Sequence, residues 1–299
     1  MDFSSCFPIP IEHNRSLKEL STFRIGGEAR WFCVVEQIDE LAKGIRACYQ
    51  HQIPYLVIGK GSNCLFDDRG FDGLVILNKI AFCRFDKDLV SVGAGYSFSL
   101  LGVQTARKGF SGLEFASGIP GTVGGAVYMN AGANGFETQE VLKSVTYVNV
   151  QGEVEELARE HLQFGYRTSS FQQKKGAIAA ALFRLHPSSK AREDQLSIVA
   201  YRQKTQPYGL PSAGCVFRNP SSQSAGALIQ QAGLKGLRMG DAEVSSLHAN
   251  FIVNQGQATS SDVIALAQEV QRQVKEKMGC DLEMEVRKIP YQMESFWDV

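Results

Sequence analysis

The sequence predicts an α+β fold in more than one domain: two N-terminal subdomains that close on a phosphate-bearing cofactor, and a separate C-terminal domain. Three observations predict it. A strand–helix–strand pattern over residues 30–58 runs straight into a glycine-rich turn, Gly59-Lys60-Gly61-Ser62-Asn63. A second stretch, residues 117–132, carries Gly118, Gly121, Gly124, Gly125 and Gly132 among small, uncharged side chains. The last hundred residues change character, ending in a long amphipathic helix and an alternating segment. At 299 residues the chain also exceeds what one hydrophobic core usually serves.

The elements follow from pattern in chain order. The first twenty residues read as an irregular arm. Residues 30–35 read as a strand, Ile38, Leu41, Ala42, Ile45 and Cys48 have helical spacing, and residues 55–58 are a short apolar strand. Such a unit is the usual basis of a parallel pair. A glycine-rich turn at the end of a strand is where open α/β sheets bind phosphates. GKGSN is neither the dinucleotide fingerprint nor a Walker loop, and a plain tight turn is its alternative. Residues 73–77 and 89–95 read as strands and 99–108 as a helix. Pro120 suits the first turn of a short, small-residue helix over 121–129, whose backbone would face a ligand. Glycine at this density lets main-chain N–H groups converge on a guest, and a glycine-rich surface loop is the alternative.

Further along, residues 141–150 and 154–157 read as strands around a Gln151-Gly152 turn, 177–185 as a buried strand, and 188–205 as a charged, helical connector. Pro207 and Pro211 mark a boundary. Residues 211–220 read as a compact polar loop, 226–232 as a short helix and 250–254 as a strand. Ser260 or Ser261 should cap a helix with Val263, Leu266, Ala267, Val270 and Val274 on one face, and Gly279 should stop it. LEMEVRKI, residues 282–289, reads as a strand with Glu283, Glu285 and Arg287 on one face.

Composition excludes several function classes. Hydrophobic content of 44% and charged content of 21% are those of a soluble globular protein. Thirty-one Lys and Arg balance 31 Asp and Glu, which argues against a nucleic-acid partner. Seven cysteines, at 6, 33, 48, 64, 83, 215 and 280, form no CxxC pair and suit a reducing cytosol. Met1-Asp2-Phe3 lacks the charged and apolar regions of a signal peptide, and the apolar run near 177–183 is too short for a bilayer. A cytoplasmic, monomeric protein acting on small molecules is expected, with no membrane partner. The histidines at 13, 51, 161, 186 and 248 share no ligand spacing, so no metal site is expected, and no GxSxG elbow is present.

Three polar residues stand out. Arg167 has no neighbouring carboxylate in sequence, and a fixed guanidinium can stabilise a developing oxyanion. Cys215 follows a glycine turn and is either a nucleophile or proton donor or a buried structural thiol. Glu285 is otherwise a solvated strand face. Lys204 and Asn219 can bind an anion, but nothing local singles them out. The residues alone stop at a cytosolic enzyme with a phosphate-bearing cofactor.

Seven segments in order carry this further: LSTFRIGG, VIGKGSNCLF, GLEFASGIPGTVGGAVYMNAGA, FGYRTSSF, PSAGCVFRNPSSQSAGALIQQAGLKG, HANFIVN and LEMEVRKI, from about residue 20 to 289. Together they resemble the UDP-N-acetylenolpyruvoylglucosamine reductase family, flavoenzymes of peptidoglycan precursor synthesis. The resemblance implies a two-subdomain FAD-binding module of the vanillyl-alcohol-oxidase type over residues 1–80 and 81–187. A connector, 188–206, and an α+β substrate-binding domain, 207–299, would follow, with the last strand near 282–289 returning to the active site. It implies that NADPH reduces FAD and leaves, that hydride then passes from flavin N5 to the enolpyruvyl methylene, and that a proton donor quenches the enolate-like intermediate.

By the same resemblance, Gly59, Lys60, Gly61, Ser62 and Asn63 face the cofactor, as do Ser117, Pro120, Gly121, Gly124, Gly125, Ala126, Asn130 and Gly132. Tyr166, Lys204, Asn219 and Arg287 would face substrate; Arg167 would hold its carboxylate, with Glu285 assisting at a raised pKa. Cys215 stands where most relatives have serine. As the more acidic donor it should give a different pH profile and sensitivity to thiol reagents; alternatively Cys215 only packs and a water donates. The chain has no room for the substrate-domain insertion of the longer branch of the family. Two other readings are a flavin oxidoreductase of the same superfamily acting on another substrate, and a non-catalytic nucleotide-sugar or flavin-binding protein. The last predicts that Arg167, Cys215 and Glu285 do not converge.

Overall fold

The computed structural model describes residues 7–293. Met1-Asp2-Phe3 and Cys6 lie outside them. Its first sheet has the order Glu12–Ser16, Glu28–Val35, Gly70–Asn78, Tyr55–Ile58. The central strand, Gly70–Asn78, alternates its side chains onto two apolar layers. Leu74 and Ile76 meet Leu41 and Ile45 of the helix Ile38–His51, while Val75 meets Phe32, Leu56 and Phe66. A strand covered on both faces reads as a near-continuous apolar run, which is what GLVIL is. The two strands of the 30–58 unit are therefore not neighbours, as the pattern suggested. Each pairs in parallel with Gly70–Asn78 between them, because the strand with the most apolar surface takes the position buried on both sides. The helix begins at a capping box in which the Gln37 backbone N–H donates to Glu40 Oε2 at 3.1 Å.

The irregular arm is corrected too. Glu12–Ser16 joins the sheet antiparallel to Glu28–Val35, and Leu17–Leu20 is a 3-10 turn held by fully buried Leu17. The second sheet is wholly antiparallel, in the order Val154–Ala158, Leu142–Val148, Ala177–Arg184, Leu89–Gly93, Cys83–Asp86. Ala181 keeps its middle strand low toward the short helix Val123–Tyr128, while Ala177 and Ala179 pack on the other face against the first sheet and its helix.

The C-terminal sheet runs Ser212–Cys215, Phe251–Asn254, Ala242–Val244, Arg238–Met239, all antiparallel. The helices Ala225–Gln231 and Ser260–Met278 cover one face, with Val263, Leu266, Ala267, Val270 and Val274 all buried. Thr259, not Ser260 or Ser261, is the cap; its hydroxyl accepts from Asp262 N at 3.1 Å. Gly279 ends the helix at φ +66°. The supposed polar loop at 211–220 contains the edge strand Ser212–Cys215, whose small residues hide the alternation that buries Ala213.

Packing crosses the boundary drawn at 206 in both directions. Phe23, Ile25 and Leu65 belong to the C-terminal core, and Asn254 Nδ2 donates to Phe23 O at 3.2 Å. Conversely, the closing strand is only Arg287–Ile289, shorter than expected, and it pairs in parallel with Cys64–Phe66. Residues before it turn into their own core instead, with Leu282 and Val286 buried there. Among the described residues no helix is long and apolar enough to cross a membrane, and no cluster of three or more metal-ligating side chains occurs.

Candidate active site

The glycine-rich turn after Tyr55–Ile58 is shaped by contact. Gly61 has φ +58°, and a Cβ there would lie 2.1 Å from Leu20 O. A Cβ at Gly59 would lie 2.3 Å from Thr122 Oγ1, so the two glycine-rich segments touch because residue 59 has no side chain. Thr122, not Pro120, begins the helix: its backbone is extended, its hydroxyl accepts from Gly125 N at 3.4 Å, and the helix is Val123–Tyr128 rather than 121–129. Pro120 lies two residues before the cap, outside the helix.

Between the two segments opens a cleft of about 480 Å³. Residues 59–63, Pro120, Gly121, Gly124, Gly125, Ala126 and Gly132 line it. A Cβ at Gly121 or Gly125 would come no nearer the protein than 3.4 Å from Ser62 Oγ or 3.6 Å from Thr122 Oγ1. Glycine at these two places keeps space in the cleft rather than relieving a clash.

At one end the cleft meets the C-terminal domain, and there Arg167, Cys215 and Glu285 come together. Arg167 sits in the tight turn between Phe164–Gly165 and Thr168–Ser169, at φ +58°, a conformation costly for a non-glycine residue. Its Nε donates to Glu285 Oε1 at 2.8 Å and its Nη2 to Gly132 O at 3.0 Å. Burial pushes the Glu285 carboxyl up, and Arg167 opposes this by charge and hydrogen bond. Burial, with the Glu285 charge, pushes the Cys215 thiol up to about 12. The carboxylate beside the half-buried sulfur favours keeping its proton, while Arg202 and Arg167 pull the other way. Arg202 and Arg287 also face this end, so among the described residues guanidinium groups outnumber the one carboxylate there and favour an anionic guest. Arg287 lies over the Tyr128 ring, 4.7 Å from its centroid.

Comparison with known proteins agrees with this arrangement. Residues 206–289 match the model of the UDP-N-acetylenolpyruvoylglucosamine reductase C-terminal domain, and residues 29–158 match an FAD binding domain. The curated UDP-N-acetylenolpyruvoylglucosamine reductase of Protochlamydia amoebophila is 57% identical over 294 residues, covering 97% of this chain and 98% of the relative. The chain belongs to the UDP-N-acetylenolpyruvoylglucosamine reductase family. The reductase of Chlamydia muridarum is 49% identical over 290 residues, covering 97% of this chain and 98% of its own length. The solved Thermus caldophilus reductase superposes with a TM-score of 0.80 at 37% identity, covering 94% of this chain and 99% of its own. The chain is thus an FAD-dependent oxidoreductase with a two-subdomain FAD module and a C-terminal α+β domain. The cleft suits that cofactor: backbone at Gly121 and Gly125 opens into it, and residues 119–126 bring no charge against it.

Other residues expected around the site lie outside the cleft. Ser117 is buried in the 3-10 turn Glu114–Gly118, under the helix Phe98–Arg107 at Gly102. Asn130 is fully buried and ties its own loop, donating to Glu137 Oε2 at 2.8 Å and Gly165 O at 3.0 Å. The Tyr166 ring packs against Arg167, and its hydroxyl accepts from Asn219 N at 3.3 Å. Lys204 is exposed on the helix Ala191–Thr205; that helix sends Arg202 to the cleft instead, over Gly118, where a Cβ would fall 2.2 Å from Arg202 Cδ. Residues two apart on a helix point to different faces, and the charge pattern of YRQKT gave no way to choose between them. Tyr128, Gln172 and Tyr147 also line the cleft and carried no sequence signal.

Proposed function

We propose that this chain reduces the enolpyruvyl ether of UDP-N-acetylglucosamine to the lactyl ether of UDP-N-acetylmuramate, with NADPH as electron source, for peptidoglycan precursor synthesis. The observation that carries the reading is the convergence of Arg167, Cys215 and Glu285 where the FAD module meets the C-terminal domain. A binding protein without catalysis predicted no such convergence. When bound, reduced FAD supplies a hydride to the methylene carbon of the enolpyruvyl group.

The protein does the rest. Among the described residues Arg167 Nη1 makes no hydrogen bond, while Nε and Nη2 are held by Glu285 and Gly132. It is thus fixed to meet the substrate carboxylate as charge grows on it. Glu285 anchors that guanidinium, and its raised pKa favours a proton on it, so that it assists beside the substrate carboxylate as an acid or through a water. Cys215 gives its proton to the carboxylate-bearing carbon; Arg167 and Arg202, which both pull its pKa down, stabilise the thiolate left behind. Arg287 and Arg202 bind the diphosphate or carboxylate, with Tyr166 and Asn219 outside the cleft holding the Arg167 turn in place. Lys204 contributes from the rim only.

The test is optical. The purified protein should be yellow, lose its colour with NADPH, and regain it when the enolpyruvyl substrate is added under anaerobic conditions. A protein bleached by NADPH but not recoloured by that substrate would act on something else.

A further inference from the structure

The cleft has a second end that the chemistry does not use. Gly59 follows the last residue of Tyr55–Ile58, and Tyr55 opens that strand, about 13 Å away at the usual rise. Tyr147 stands beside Tyr55, close enough for their charges to couple, and both line the cleft. The site of Arg167, Cys215 and Glu285 lies beyond the glycine turn in the other direction, since Asn63 Nδ2 donates to Glu285 O at 3.3 Å.

Tyr147 is 3% exposed, packs its ring at 5.4 Å from that of Phe171, and has a buried hydroxyl with no hydrogen-bond partner among the described residues. The hydroxyl sits against the backbone of Gly176, where a Cβ would lie 2.3 Å from it; glycine leaves it room. A buried phenol normally finds a partner, and one left without costs stability. A phenylalanine would fill the same volume with no such cost. A hydroxyl kept here, in the wall of a ligand cleft, fits a partner that arrives with the ligand.

We propose that the Tyr147 hydroxyl hydrogen-bonds the adenosine half of the bound flavin dinucleotide, so that this residue lets the chain distinguish FAD from FMN. The inference rests on the reading of the cleft as the FAD site. A dinucleotide whose pyrophosphate lies along the glycine segments and whose flavin points toward Cys215 places its nucleoside at the Tyr55–Tyr147 end. The hydroxyl can donate to a ring nitrogen of the purine or exchange with a ribose hydroxyl.

The experiment titrates flavin-stripped protein with FAD and with FMN, following fluorescence quenching, for the wild-type chain and Tyr147→Phe. Phenylalanine keeps the ring packing on Phe171, and the far-ultraviolet circular dichroism and melting temperature of the apoproteins check that the fold is intact. The expected result is an FAD dissociation constant raised about five- to tenfold, the share of one hydrogen bond, with FMN affinity unchanged. An unchanged FAD constant would overturn the proposal and leave the hydroxyl to a trapped water. Equal weakening of FAD and FMN would also overturn it, moving the contact to the flavin half. If the wild-type apoprotein takes up neither flavin, the cofactor reading itself falls and this assignment with it.

Discussion

Burial and the Glu285 charge push the Cys215 thiol up to about 12 from 9.0, which still leaves it a stronger acid than an alcohol in the same place. Three outcomes follow. In enzyme reduced beforehand, Cys215→Ala should slow flavin reoxidation by the enolpyruvyl substrate about 10²- to 10⁴-fold while leaving reduction by NADPH unchanged. Near-normal reoxidation in a stopped-flow trace would assign the proton to water. The second outcome concerns stability. The folded thiol keeps a proton that the unfolded chain loses near pH 9, so its contribution is present below that pH and is lost as pH rises toward 12. The slope is at most about 1.4 kcal/mol per pH unit. Urea midpoints measured at about pH 8 and 10 should therefore move in favour of Cys215→Ala at the higher pH. A parallel shift of both proteins would mean that the thiol is not shielded. For the same reason, alkylation of Cys215 by iodoacetamide near neutral pH should be slower than that of an exposed thiol, as mass spectrometry of modified peptides would record.

At the scale of elements, the meeting of two glycine-rich segments sets the cleft. A Cβ at Gly59 collides with the whole Thr122 side chain, at 2.3 Å from Oγ1, 2.8 Å from Cγ2 and 3.1 Å from Cβ. Rotating the threonine does not clear it, so Gly59→Ala must spread the two walls. The expected cost is about 1–3 kcal/mol in the folded protein, with FAD retention at purification falling well below the wild-type ratio of flavin to protein. Full flavin content in that variant would show that the walls tolerate separation. The same contact explains why the short helix starts at Val123: Thr122 is both its cap and the face against residue 59. Pro120 looked like the helix start because proline suits a first turn, but the hydroxyl two residues later outranks it.

The molecule as a whole is held by reciprocal insertion. Phe23, Ile25 and Leu65 complete the C-terminal core, and Arg287–Ile289 completes a pair with Cys64–Phe66. A fragment covering residues 206–293 would lack three side chains that are all but fully buried in the intact chain. It should fail to unfold cooperatively in calorimetry, whereas the intact chain should; a sharp transition for the fragment at the same temperature would mean the two parts are independent. In the full chain, Ile289→Ala, at a 3% exposed site, should cost about 2–4 kcal/mol. The crossing strands also carry function, since residues 285 and 287 reach the cleft only because the chain that follows Val286 pairs with Cys64–Phe66.

Much was legible in the sequence. Periodicity located the helices at 38 and 260, because an amphipathic face writes its spacing into the chain, and the stretches read as helical at 99–108, 188–205 and 226–232 overlap Phe98–Arg107, Ala191–Thr205 and Ala225–Gln231. Glycine density marked both walls of the cleft, because close approach at Gly59, Gly61, Gly124 and Gly132 leaves no room for a side chain, and Gly121 and Gly125 keep space in the cleft itself. Ordered motifs carried the family. What the sequence could not carry was anything set by partners distant in the chain. Gly70–Asn78 lies between its neighbours because of burial on both faces, and Arg202 rather than Lys204 faces the cleft because of how its helix is rotated against residue 118. The hidden Tyr147 hydroxyl and the raised pKa of the Cys215 thiol have the same origin. A pKa or a missing hydrogen bond is a property of surroundings, and those surroundings come from segments far apart in sequence that only the folded chain brings together.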